Sequence, residues 1–311
     1  MSKIIKIGTR DSELALWQAH TVKQKLHDLG YQTEIVAVKS TGDIILDKPL
    51  YELGITGIFT KTLDIAMLKG EVDIAVHSMK DVPTALPKGI VQAAVLERAS
   101  TLDILVHKGD LSFLENTGTI PITIATGSLR RKAQWLNKFP SHQVEDLRGN
   151  VNTRLQKLKE NPWNGAIFAA AGLERINLKP ESFINLDWMI PAPAQGAMVV
   201  VAMEQDDYSK EALAQLNHHE TEICTHVERQ FLKTLEGGCT APIGTLAIIE
   251  NDNLLLKGIL FSLDGSKKLA IEKQINIDLY QNFGELCATE ILKNGGSELM
   301  QSIKKALDKK H

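Results

Sequence analysis

The stretch 74–84, Ile-Ala-Val-His-Ser-Met-Lys-Asp-Val-Pro-Thr, constrains the chain more than any other. Ile74, Ala75 and Val76 form an apolar run of the kind a buried parallel strand uses. Pro83 pushes residue 82 towards extended backbone and stops a helix from starting there. Lys80 and Asp81 stand between those limits. A charged pair at the carboxyl end of a buried strand lies where open α/β sheets place ligands. A solvated strand end has the same pattern, so residues elsewhere must decide between the two.

The flanking sequence alternates strand and helix patterns. Strands are predicted over 4–9, 31–38, 91–96, 103–106, 122–125, 144–147, 165–170 and 197–203. Helices are predicted over 13–29, with Ser12 as N-cap and Gly30 as stop, and over 58–69. Further helices follow Arg131, to about residue 139, and Arg154, to about 159. Pro191-Ala192-Pro193-Ala194-Gln195-Gly196 reads as a hinge. A helix over 220–235 places Ile223, Cys224, Val227 and Phe231 on one face, before Gly237-Gly238. Strands over 244–249, 254–261 and 268–277 and helices over 285–292 and 298–307 complete a small α+β domain. The fold class is therefore α/β: two lobes joined by a hinge, followed by an α+β domain.

At 311 residues the chain can hold one to three domains. A net charge of -3 gives no general basic field for nucleic acid. No apolar run approaches the roughly 20 residues of a membrane span, and the N-terminus lacks a signal-peptide pattern. Three cysteines without metal-like spacing fit a reducing compartment. A cytoplasmic protein without a metal, nucleic-acid or membrane partner is expected.

Five arginines fall at three predicted helix starts: Arg10, Arg130 with Arg131, and Arg148 with Arg154. The helix dipole disfavours cations there, whereas the free N–H groups attract anions. Arginine beside free N–H groups makes a strong carboxylate or phosphate site. The chain has no G-x-x-x-x-G-K-[ST] and no G-x-G-x-x-G, so nucleotide binding has no support. A ligand with several anionic groups is expected, and Asp81 would suit a cation developing on it. Cys224 and Cys287 read as core residues. Cys239, in the loop Glu236-Gly237-Gly238-Cys239-Thr240, could be a bland thiol, a reactive one or the carrier of a covalent group.

These same stretches resemble the porphobilinogen deaminase (hydroxymethylbilane synthase) family. They are Ile7-Gly8-Thr9-Arg10-Asp11-Ser12, residues 76–84, 127–131 and 147–155, Ala170-Ala171-Gly172-Leu173-Glu174-Arg175, and residues 191–197 and 235–244. They occur in the family's order and span nearly the whole chain. The resemblance implies two lobes like those of periplasmic binding proteins, with the active site between them, and a third domain carrying the cofactor cysteine. Domain 1 would take residues 1–98 and 194–216, domain 2 residues 99–193 and domain 3 residues 217–311. The implied reaction joins four porphobilinogen molecules head to tail, with release of ammonia, into hydroxymethylbilane. A monomer is implied, with a dipyrromethane cofactor covalently attached to Cys239 as primer. The alternative is a two-lobed binder that closes on a polycarboxylate without catalysis.

By the same resemblance Asp81 is catalytic. Lys80, Asp43, Ser128, Arg130 and Arg131 hold the cofactor, and Arg10, Ser12, Lys61, Arg148, Arg154 and Arg175 hold substrate. The chain also departs from the family pattern. Thr56, Leu102 and Met203 stand where lysine, arginine and arginine are usual, and Ala194 replaces a hinge glycine. Fewer cations predict weaker late elongation steps, because the anionic load grows with each pyrrole.

Overall fold

In the computed structural model, residues 3–39, 60–115, 121–235 and 241–308 are described. Among them the chain forms two compact units, residues 3–39, 60–99 and 194–225, and residues 100–115, 121–193 and 226–308.

The first unit is a five-stranded sheet with the order β2-β1-β3-β10-β4. Its strands are β1 (Ile5–Arg10), β2 (Thr33–Val38), β3 (Ile74–Ser78), β4 (Ile90–Val95) and β10 (Met198–Met203). β1 runs parallel to β2 and β3, while β10 runs antiparallel to β3 and β4. Alternation along β1 and β3 splits the core into two layers. Ile5, Ile7, Ile74 and Val76 face the helix Glu13–Asp28, with Ala19, Val22 and Leu26. Ala75 and Val199 face the helix Lys61–Leu68, with Leu63 and Met67. All eleven are 2% exposed or less.

The second unit contains a sheet of the same pattern, β7-β6-β8-β5-β9. Its strands are β5 (Asp103–His107), β6 (Thr123–Ala125), β7 (Gln143–Glu145), β8 (Gly165–Ala169) and β9 (Phe183–Asn185). β6 runs parallel to β7 and β8, and β5 antiparallel to β8 and β9. In each lobe the antiparallel strand beside the last parallel one begins just after the chain passes from one unit to the other, β5 after residue 99 and β10 after residue 193. The same unit holds an antiparallel sheet, β11 (Ile243–Glu250), β12 (Asn253–Phe261) and β13 (Lys268–Asn276), with helices Phe283–Ile291 and Ser297–Asp308. Ala133 and Ile190 of the second lobe pack on Ile259 and Phe261 of this sheet. Asn137 Nδ2 donates to the Gly265 carbonyl at 2.8 Å.

The two α/β lobes and the α+β part are as the sequence predicts. The helix His219–Thr234 buries Ile223, Cys224, Val227 and Phe231, the predicted face. Two elements lacked a usable sequence signal. β9 has only three residues, and the helix Asp207–Ala214 opens on charge, with Asp206 Oδ1 accepting from Ser209 N at 3.2 Å. At the opening stretch a single 3-10 turn, Met79–Asp81, precedes Val82, which is extended (φ -88°, ψ 129°) as Pro83 requires.

Candidate active site

In each lobe the candidate residues lie at the carboxyl ends of the parallel strands, the end where such sheets bind ligands. In the first lobe Arg10 closes β1, and the turn carrying Lys80 and Asp81 follows β3 directly. Gln18 Nε2 donates to Ser78 Oγ at 2.9 Å, and Met79 N donates to the Ala197 carbonyl at 3.0 Å. The end of β3 is thus tied to a helix, and the turn to the residue just before β10. Asp81 is half-buried, and among the described residues no hydrogen bond or ion pair engages its carboxylate. Ser12 has the extended backbone of an N-cap, but its hydroxyl makes no capping bond, contrary to the usual role of serine there.

Lys61 is exposed at the start of its helix. It lines an open cavity of about 270 Å³ with Asp64, Pro83 and Leu86, two residues along the chain from Asp81. Burial raises the Asp64 carboxyl above its usual range, against a hydrogen bond from Thr60.

His77 is not a site candidate from the sequence, because it has no metal-ligand spacing with Cys239. It is buried, and among the described residues its Nε2 has no hydrogen-bond partner. Burial, and then the Arg10 charge, lower its pKa to about 4, so the imidazole is neutral near pH 7. By strand alternation His77 and Arg10 share the face of the sheet that carries Ala75 and Leu63.

In the second lobe β6 leads through Gly127 to Ser128, whose Oγ accepts from Arg131 N at 3.4 Å. β7 leads through Arg148 and Gly149 to Asn150, whose Oδ1 accepts from Thr153 N at 2.9 Å. Arg154 Nε donates to the Gly149 carbonyl at 2.8 Å, which folds this arginine back onto its own turn. Gly149 has φ +113°, and a Cβ there would lie 2.6 Å from Thr153 Cγ2. Arg175 follows the short helix Ala170–Glu174 after β8.

The arginines fall into two groups. Arg130 and Arg131 are buried on Asp103, which opens β5 and has no exposed surface. Arg130 Nη1 donates to Asp103 Oδ2 at 2.6 Å and to the Ile190 carbonyl at 2.8 Å. Arg131 donates from Nε (3.0 Å) and Nη2 (2.8 Å) to Asp103 Oδ1, and from Nη1 to the Ile167 carbonyl at 3.1 Å. The sequence did not single out Asp103 for function. An acid at the head of an apolar run was its one signal, since a buried carboxylate needs a partner. Arg148 and Arg175 are the second group. Burial lowers the pKa of each, as it does that of Arg130, and for Arg175 to about 10, against the opposing pull of Asp146 and Glu174 respectively. A desolvated guanidinium is stabilised by an incoming carboxylate, so this donor set fits a polycarboxylate ligand.

Asp43 and Cys239 lie outside the described residues. Cys224 and Cys287 are buried, and burial pushes the Cys287 thiol up to about 11, as core thiols should be. Among the described residues no cluster of histidine, cysteine and carboxylate could hold a metal. No helix among them is long and apolar enough to cross a membrane.

The family model described as "Porphobilinogen deaminase, dipyromethane cofactor binding domain" matches residues 5–211. The one described as "Porphobilinogen deaminase, C-terminal domain" matches residues 222–293. The porphobilinogen deaminase of Desulfitobacterium hafniense is 41% identical over 311 residues, covering 98% of this chain and 99% of the relative. The probable porphobilinogen deaminase of Methanocaldococcus jannaschii is 43% identical over 279 residues, covering 88% and 94%. Among solved structures, the probable amino-acid ABC transporter extracellular-binding protein ytmK of Bacillus subtilis aligns with a TM-score of 0.43 and 11% identity, over 70% of this chain and 91% of that one. With family models matching residues 5–211 and 222–293, and relatives near 40% identity over 88% and 98% of the chain, the chain belongs to the porphobilinogen deaminase family.

Proposed function

We propose that this transferase of tetrapyrrole biosynthesis joins four porphobilinogen molecules head to tail into hydroxymethylbilane, starting from a dipyrromethane held covalently by Cys239. The observation that carries the reading is Asp81: a half-buried carboxylate at the carboxyl end of β3, engaged by nothing among the described residues, within a chain of this family. When ammonia leaves the aminomethyl group of porphobilinogen, the C–N bond breaks and a cation remains on the substrate. A fixed carboxylate stabilises that cation, and the second one that forms as the new C–C bond is made. The same carboxylate can accept the proton lost as the pyrrole ring recovers its aromaticity.

Each pyrrole brings an acetate and a propionate, and the desolvated Arg148 and Arg175 suit those carboxylates. When bound, the dipyrromethane supplies the pyrrole carbon from which elongation starts. In this reading Lys80, Asp43, Ser128, Arg130 and Arg131 serve the cofactor. Arg10, Ser12, Lys61, Arg148, Arg154 and Arg175 serve the substrate. The three-domain partition at residues 98/99, 193/194 and 216/217, a monomeric state and a cytoplasmic location belong to the same proposal.

Intact mass tests it. Protein from a haem-competent host should carry an adduct of two linked pyrroles, absent from Cys239→Ser. Unmodified wild-type protein with no turnover of porphobilinogen would favour the non-catalytic binder instead.

A further inference from the structure

The two arginines in the first turn of the helix Leu129–Lys138 oppose its dipole, and both are almost fully buried. Such a pair is costly unless a carboxylate compensates it. Among the described residues the carboxylate paired with both is that of Asp103, and its geometry is divided. Oδ2 of Asp103 takes Arg130 Nη1, and Oδ1 takes Arg131 Nε and Nη2. All three nitrogens of Arg131 are engaged within the protein, the last by the Ile167 carbonyl. Asp103 sits at the ligand end of the lobe because β5 pairs it with Ala169, the last residue of β8.

We propose that Asp103 is a positioning residue for anion recognition in the second lobe, fixing Arg130 and Arg131 at the end of β6 so that the carboxylates of the pyrrole ligand meet a pre-set arrangement. The inference rests on the proposed reaction. It assigns Arg131 an indirect part: the Arg131 guanidinium balances Asp103 and braces Arg130, whose Nη1 donates to Asp103 and to the Ile190 carbonyl. Preorganisation of this kind acts on ligand capture, because arginines with loose rotamers must be ordered at each binding event. Leu102, where the family has arginine, packs on the apolar cluster of Leu173 and Phe168 beside this acid. The neighbourhood of the brace is therefore apolar in this chain.

The test uses full-length protein purified with its cofactor, with Asp103→Asn and Asp103→Glu as variants. Four quantities are read: the loaded fraction by intact mass, KM and kcat for porphobilinogen, and the thermal midpoint. Asp103→Asn removes the charge but keeps the shape. A tenfold or greater rise in KM or a matching loss of loaded protein is expected, with kcat of the loaded fraction within about threefold of wild type. Asp103→Glu keeps the charge but displaces both guanidinium groups by a methylene, and an intermediate KM is expected. If the asparagine variant does not fold, the glutamate variant decides. The inference is overturned if either folded variant keeps wild-type KM and full loading, or if the only change is a lower thermal midpoint. Failure of the underlying reading looks different, because wild-type protein itself would then lack the adduct and the turnover.

Discussion

Gly127 lies against the Leu147 carbonyl so closely that a Cβ on it would stand 2.4 Å from the oxygen. This contact brings the turn after β6, with Ser128, against the turn after β7, with Arg148. Neither side can yield, because the obstacle is backbone. Gly127→Ala should therefore destabilise the protein by about 1–3 kcal/mol, the usual cost of overpacking. It should also raise KM by moving both turns. A denaturant titration beside KM measurements checks it, and an unchanged midpoint would show that the turns separate freely.

Asp81→Asn keeps the side-chain shape and removes the charge. One electrostatic contact to a developing charge is worth about 3–4 kcal/mol, so turnover should fall by two to three orders of magnitude. Since nothing among the described residues engages this carboxylate, the unfolding midpoint should not move. Near-normal turnover in loaded protein would remove Asp81 from the mechanism.

His77 predicts a pH effect on stability. Its folded pKa, about 4, is below the ordinary histidine value of 6.5. Above pH 6.5 both states are neutral and the group contributes nothing. As pH falls from 6.5 towards 4 the unfolded chain takes up a proton that the folded chain refuses, so stability falls. The full effect, reached below pH 4, is on the order of 3 kcal/mol. Urea midpoints of wild type and His77→Gln at pH 7 and pH 4.5 should show a steeper loss in wild type. Parallel losses would mean that His77 titrates normally.

Ala194 occupies the left-handed region at φ +60° and has no exposed surface. That conformation costs an alanine roughly 1–2 kcal/mol, part of which glycine loses again to chain entropy. Ala194→Gly should raise stability by up to about 1 kcal/mol, and Ala194→Val should lower it by more. Thermal melts of the two variants decide. A lower melting point for the glycine form would show that this backbone is not strained.

Leu102 and Met203 pack against the apolar clusters of the second and first lobe respectively. Restoring arginine at either site should cost about 1–3 kcal/mol of stability, because a packed apolar side chain gives way to a charged one. If the missing cations slow late elongation, Leu102→Arg, Met203→Arg and Thr56→Lys should nonetheless raise turnover. They should also clear the enzyme-bound intermediates that slow elongation would leave in wild-type protein as a ladder above the primer-loaded mass. No change in turnover or ladder in any variant would show the three positions to be neutral.

The sequence by itself determined the elements and the ends of the sheets where chemistry sits. Periodicity is a local property, so the strands at 74–78 and 198–203 and the apolar face of 219–234 are legible without partners. So is the turn at Lys80 and Asp81, because Pro83 acts on the residue beside it. Arginines at helix starts pointed to an anionic ligand for an equally local reason.

Only the tertiary structure decided how those arginines are used. From the chain, Arg130, Arg131, Arg148 and Arg154 look alike. In the fold, Arg131 is committed to Asp103 and Ile167 and Arg154 folds onto Gly149, while burial lowers the pKa of Arg130, Arg148 and Arg175 alike. Asp103 meets this pair across 27 and 28 residues of chain, through strand pairing that no local pattern encodes. Burial likewise separates His77 from the surface histidines, because desolvation depends on what the rest of the chain packs around a side chain.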